Sequence, residues 1–257
     1  MIENLSYPTE LLFLGTGTST GIPEIGCSCQ VCESSNPKDK RSRSSVLLRS
    51  AEQTILIDCG PDFRQQMLTH KINKIDAILV THEHYDHLAG LDDVRLLGEM
   101  NVYAQGRVLK VIEKNMPYAF FENRMNLLLP NIKLHEVFSE SFFIGKWKIQ
   151  PIKLNHMKLP ILGFRINNMA YLTDFNEIPD TEFEKLQALD VLVIDALRIK
   201  PHPSHNNLVQ ALDFVEKLKP QKAYFTHMSH GMGLHDEIQK ILPDSVFLAY
   251  DGLSVSL

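Results

Sequence analysis

The chain has 257 residues, 44% of them hydrophobic, and 26 lysines and arginines against 31 aspartates and glutamates give a net charge of −5. That apolar share supports a buried core and excludes a disordered chain. The acidic balance argues against an unaided electrostatic grip on duplex nucleic acid, whereas a small anionic substrate stays open because a bound cation inverts the local charge.

Apolar runs such as Ala77–Val80 and Val191–Ile194 fall far short of the roughly 18 residues a membrane span needs. The first residues carry Glu3 and Glu10 and no basic stretch, so no signal peptide is expected. Three of the four cysteines (Cys27, Cys29 and Cys32) crowd into six residues. A trio leaves one partner unpaired, so metal binding in a reducing cytoplasm fits better than a disulfide scaffold.

In chain order, short strands are expected at Leu11–Leu14, Val46–Arg49, Thr54–Ile57 and Ala77–Val80. Phe63, Met67 and Leu68 share one helix face after Pro61, and Leu88, Leu91, Val94 and Leu97 share another. Strand-like segments follow at Ile132–Phe138, Trp147–Leu154, Phe164–Ile166 and Met169–Leu172. The last third alternates: helix Thr181–Ala188, strand Val191–Ile194, helix Leu208–Leu218, strand Ala223–Phe225, helix Leu234–Leu242 and strand Val246–Leu248. Sheets covered by helices in a single unit, residues 1–257, are the natural architecture, of class α/β (α+β). Asn115–Asn131, with Tyr118, Phe120 and Phe121, lacks clean periodicity and reads as core, as a homodimer contact or as a lid. The glycines of Gly15–Gly21 follow a strand, but Ile22-Pro23 and the cysteine loop come next where a phosphate site needs a helix N-terminus. That run reads as a turn, as does Gly231–Gly233.

The strongest chemical signal is Thr81-His82-Glu83-His84-Tyr85-Asp86-His87, directly after a strand. His82 and His84, two residues apart, can converge on one ion while Asp86 and His87 face a second. Imidazole and carboxylate are ligands that Zn²⁺, Mn²⁺ and iron accept. Further ligand types stand at other strand ends: His156, Asp174, whose carboxylate can bridge two ions, and His227. Cys27, Cys29 and Cys32 offer three thiolates, one short of a tetrahedral zinc site. Cys59 reads as a small core residue.

Motif by motif, the chain resembles the metallo-β-lactamase superfamily of binuclear hydrolases. The resemblance implies a four-layer αββα sandwich with the metals at one edge between the sheets. It implies His82, His84 and His156 on one metal, Asp86, His87 and His227 on the other, Asp174 between them, and buried Asp58 steadying the ligand loop. The cysteine loop and Thr226-His227-Met228-Ser229-His230 together look like the branch containing the phosphoribosyl 1,2-cyclic phosphate phosphodiesterase. In that branch the three cysteines and His230 hold a structural zinc, and His205 matches the catalytic histidine, with nearby His202 the alternative. The implied activity is hydrolysis of a small, sometimes cyclic, phosphodiester with two Mn²⁺ or Zn²⁺ ions, a water activated between them, His205 as acid and Asp86 orienting the nucleophile.

Thioester or lactone hydrolysis shares the ligand set and stays an alternative. A tRNA 3′-end nuclease needs a basic RNA-gripping arm, and no such insertion is found. The ligand-loop position that is Glu in flavin-linked diiron oxygen reductases is His84 here. A metal-stabilised binding protein is the non-enzymatic alternative.

Overall fold

The computed structural model describes residues 8–121 and 127–257. The first half runs β1 (Glu10–Gly15), α1 (Gln30–Glu33), β2 (Ser45–Arg49), β3 (Thr54–Ile57), α2 (Phe63–His70), β4 (Ala77–Leu79), α3 (Tyr85–Leu88), β5 (Glu99–Ala104), α4 (Gly106–Asn115) and β6 (Asn131–Glu136). The second runs β7 (Phe142–Ile144), β8 (Trp147–His156), β9 (Leu159–Ile166), β10 (Met169–Leu172), β11 (Val191–Asp195), α5 (Leu208–Leu218), β12 (Lys222–Thr226), α6 (His235–Gln239), β13 (Val246–Leu248) and β14 (Ser254–Ser256).

The strands form two sheets, ordered β14-β1-β2-β3-β4-β5-β6 and β13-β12-β11-β10-β9-β8-β7. Each is antiparallel at one end and parallel at the other: β3 to β6 run parallel in the first, β10 to β13 in the second. The period of two in a strand explains the layering. Ile55 and Ile57 of β3 and Val191 and Val193 of β11 face the core between the sheets, with Phe13, Trp147, Phe164 and Tyr171. Leu56 turns to the opposite face, toward α2 and α4, and Leu192 and Ile194 turn toward α5 and α6. Both faces are thus buried, which is why these strands read as unbroken apolar runs. The result is the four-layer αββα sandwich.

Several elements differ from the sequence expectation. Leu88, Leu91 and Val94 are buried as expected, but after α3 the chain from Ala89 to Leu96 is a 3-10 helix. Their strict spacing of three is the period of that tighter helix. The expected helix over Thr181–Ala188 is likewise a 3-10 turn, Asp180–Leu186. β5, α4, β7 and β14 were not anticipated. In β5 the glutamate and asparagine of Glu99-Met100-Asn101 mask a clean alternation that buries Met100, Val102 and Ala104. Pro160 and Gly163 hid the first half of β9. Of the Asn115–Asn131 segment, Met116 and Ala119 are buried and Tyr118 and Phe120 pack on the core, with Tyr118 Oη donating to Asp92 at 2.8 Å. Residues 122–126, part of the segment read as core, homodimer contact or lid, lie outside the described residues.

α5 begins with a reciprocal cap: Asn207 Oδ1 accepts from the Gln210 amide at 2.9 Å, and Gln210 Oε1 accepts from the Asn207 amide at 3.0 Å. Asn207→Ala removes the side-chain acceptor and is expected to cost about 1 kcal/mol. Thermal unfolding should show a drop of roughly 2–4 °C; an unchanged midpoint would mean that packing alone holds the helix start.

Candidate metal centre

The candidate ligands gather because parallel strands deliver their C-terminal ends to one edge, where open α/β sheets place their sites. Asp58 follows β3, the His82–His87 loop follows β4, His156 ends β8, Asp174 follows β10, Asp195 ends β11 and His227 follows β12. Asp58, Asp174 and His227 turn the chain sharply, with φ of 64°, 57° and 56°. Such left-handed conformations in non-glycine residues are strained and tend to cluster where side chains must be aimed. Gly60 lets the ligand loop pack: a Cβ there would meet the Asp86 carbonyl oxygen at 2.1 Å.

Two groups converge at this edge. One ligand atom from each of Asp86, His87, Asp174 and His227 lies within 4.8 Å of the others, and so does one from each of His82, His84 and Asp174. Asp174 belongs to both. Its Oδ1 is 3.1 Å from His227 Nε2, and its Oδ2 is 3.2 Å from His87 Nε2 and 3.7 Å from His82 Nε2. Asp86 Oδ2 is 3.2 Å from His87 Nε2 and 3.6 Å from His227 Nε2. His156 stands beside the second group, its ring 5.1 Å from His84 and 5.9 Å from His82, without joining the convergent set.

The surroundings set the tautomers. His87 Nδ1 is 2.7 Å from Asp58 Oδ2, so the carboxylate accepts a hydrogen bond from Nδ1–H, which keeps the proton on Nδ1 and Nε2 for a cation. Thr81 Oγ1 donates to Asp58 and faces His82 Nδ1 at 2.9 Å, which turns His82 Nε2 inward in the same way. The Nε2 atoms of His82, His87 and His227 are buried without aligned hydrogen-bond partners. A buried lone pair 3.1–3.2 Å from a carboxylate oxygen needs a positive centre between them. A divalent cation fits this donor set.

Without a cation, protons do part of that work. Burial alone would lower His87, but Asp174, Asp86 and Asp58 outweigh it and hold it well above the ordinary histidine range. Burial alone would raise Asp174, but His227 and His87 hold it well below the usual carboxylate range. Burial, reinforced by His87, pushes His82 far down, so it stays neutral and ready to donate its lone pair.

His205 sits over this centre. Its ring lies 5.1 Å from His227, nearly parallel, and 4.8 Å from His156. Asn207 rather than His205 caps α5. His202 is one step outside, 5.2 Å from His205, its Nδ1 turned to Ser204. Sequence reasoning missed Asp195, wholly buried behind His205 at 3.6 Å from Nδ1 and receiving Asn206 Nδ2 at 3.0 Å. It follows directly on the expected strand Val191–Ile194, and no sequence motif singles it out. Burial alone would lower His205, but Asp195 and Asp174 outweigh it and keep it above the ordinary value.

The second cluster joins the first through a short loop. Sγ of Cys27, Cys29 and Cys32 lie 3.3, 3.5 and 3.5 Å from His230 Nδ1, near the edge lengths of a tetrahedron around one ion. All four cysteines are free thiols. The Cys32 backbone amide, opposed by burial, brings the Cys29 thiol down to about 7, whereas burial pushes Cys32 up to about 11. The Gly15–Gly21 turn places this loop: the Thr18 amide donates to Met228 O at 3.0 Å and the Met228 amide to Thr16 O at 2.9 Å. Cys59 is fully buried in the apolar layer, its thiol pushed well up by burial.

Because His87 holds its proton above the ordinary range, a cation must displace it, so divalent-metal affinity should rise with pH through and above about 6.5. Calorimetry in buffers of different ionisation enthalpy should record proton release; binding with no proton released would contradict this electrostatic balance. Asp58→Asn should weaken cation binding at this centre about 10–100-fold in a competitive chelator titration, because His87 loses the partner that fixes its tautomer.

The chain is similar to known proteins. Residues 53–228, more than half of the chain, match the family described as the beta-lactamase superfamily domain. A crystal structure described as a new diphosphatase from the PhnP family superposes with a TM-score of 0.90 and 41% identity, covering 97% of each chain. An octanoyltransferase of Porphyromonas gingivalis is 43% identical over 248 residues, 94% of this chain and 50% of that protein. A ribonuclease Z of Thermococcus onnurineus is 29% identical over 161 residues, 60% of this chain and 46% of that protein. In both cases the matched region is about half of the curated relative. The chain belongs to the metallo-β-lactamase superfamily, and within it to the PhnP family.

Proposed function

We propose that the chain is a binuclear metal-dependent hydrolase that cleaves small phosphodiesters. The observation that carries this reading is Asp174, whose two carboxylate oxygens face different imidazoles in a buried centre with His205 above it. His82, His84 and His156 would hold one cation, Asp86, His87 and His227 the other, with Asp174 between them. Two divalent ions there, Mn²⁺ or Zn²⁺, would lower the pKa of water toward neutrality and offset the charge of phosphoryl oxygens.

The chain's own groups do the rest. Asp86 adds orientation of the attacking oxygen to ligation. His205, protonated and held by Asp195, delivers its proton to the departing oxygen. Cys27, Cys29, Cys32 and His230 would hold a structural zinc that fixes the loop leading out of His227. Reduced thiols fit the cytoplasm, and no helix among the described residues is long and apolar enough to cross a membrane.

A diphosphate-bridged substrate is the second reading, because the PhnP-family relative at 41% identity is described as a diphosphatase. Attack at phosphorus is common to both, and only the leaving group differs. The octanoyltransferase name describes a chain about twice as long and is not carried over.

Protein loaded with Mn²⁺ or Zn²⁺ should cleave an aryl phosphodiester or a diphosphate diester in preference to an aryl phosphomonoester, a thioester or a lactone. Thioester or lactone cleavage without diester cleavage would overturn the substrate class. His205→Gln should keep its metal yet lose about 10²–10⁴-fold in kcat. Since the protonated form of His205 is the active one, turnover in the unsubstituted protein should fall as pH climbs past the pKa of His205. The alkaline limb should vanish in the variant; an unchanged profile would remove His205 from the mechanism.

A further inference from the structure

The two sheets contribute opposite walls of the His82–His84 position, so something must fix the distance between them. His82 and His84 come from the loop after β4 in the first sheet, and His156 from the end of β8 in the second. Between the two ligands stands Glu83. Its carboxylate is paired with Arg107 Nη1 and is only 19% exposed.

Arg107 is the second residue of α4, just past the end of β5, which neighbours β4. Its other terminal nitrogen, Nη2, donates to the Pro160 carbonyl at 2.5 Å and to Gln105 Oε1 at 3.3 Å. Pro160 pairs with Asn155 across the β8–β9 hairpin, and the next pair is His156 with Leu159. One guanidinium therefore connects the residue between two ligands of one sheet to the backbone one pair away from the third ligand on the other. A second link runs parallel to it: the Leu162 amide of β9 donates to the Thr81 carbonyl at 3.1 Å. Among the described residues Thr81 to His84 is thus tied to β9 at two points, and of these two the Arg107 link reaches past His82.

We propose that Arg107 is a positioning residue that latches Glu83 to β9 and thereby sets the cation affinity of the His82–His84 position. The inference rests on the binuclear reading and adds a determinant outside the ligand set. A partly exposed ion pair contributes little to overall stability. Its effect here is geometric: the planar fork of arginine serves two acceptors at once, which a lysine ammonium does with no fixed angle. Partners that orient metal ligands are typically worth 10–100-fold in affinity.

The test uses metal-replete full-length chain, unsubstituted and as Arg107→Ala, Arg107→Lys and Glu83→Gln, counting cations per chain by native mass spectrometry along a chelator titration. The unsubstituted chain should hold three. In Arg107→Ala and Glu83→Gln one cation should leave at about 10–100-fold lower chelator concentration, while the other two, including the cysteine-held ion, keep their midpoints. Arg107→Lys should fall between them and the unsubstituted chain. Replacing the metal with Co²⁺ should show the same selective loss in one set of d–d bands. Unchanged midpoints in both Arg107→Ala and Glu83→Gln, or equal weakening of all three cations, would overturn the inference. An unsubstituted chain that holds fewer than three would overturn the binuclear reading itself.

Discussion

A single buried carboxylate, Asp174, is the constraint on which the rest of the structure depends. It is 2% exposed and faces imidazole nitrogens on both sides. Burying a carboxylate among lone pairs is unfavourable unless positive charge is built in around it. The fold brings strand ends from two sheets to one edge, where His87, held well above the ordinary histidine range by the surrounding carboxylates, faces Asp174 from one half of the chain and His227 faces it from the other. Behind them Asp58 holds His87 and Thr81, and the left-handed turns at Asp58, Asp174 and His227 aim the side chains.

The cysteine cluster extends the same logic. His227 and His230 stand three residues apart on the segment leaving β12, so the histidine–aspartate edge and the cysteine cluster share one piece of backbone. The Gly15–Gly21 turn pairs with Met228 between them and carries the cysteine loop across from the first sheet. An ion held by Cys27, Cys29, Cys32 and His230 would restrain the exit of His227 from the far side.

Much of this was legible in the sequence, for identifiable reasons. The buried strands announced themselves because both faces are covered, and the His82–His87 loop because so many ligand types rarely fall together by accident. Helix α5 was read to the residue, since its Asn207 cap and apolar face agree. The 3-10 stretch after α3 was mistaken for α-helix because a spacing of three belongs to both patterns over a short run. Asp195 and Arg107 were illegible for another reason. Each acts through a contact that only the tertiary structure creates, Asp195 with His205 across a loop and Arg107 with Glu83 and Pro160 across the two sheets.

The most direct test of the central claim is anomalous diffraction from crystals of the metal-loaded chain, recorded on both sides of the zinc and manganese absorption edges. The account predicts two peaks about 3.5–4 Å apart flanking the Asp174 carboxylate, and a third within the cluster of Cys27, Cys29, Cys32 and His230. A single peak at the histidine edge, or two peaks that Asp174 does not separate, would contradict it.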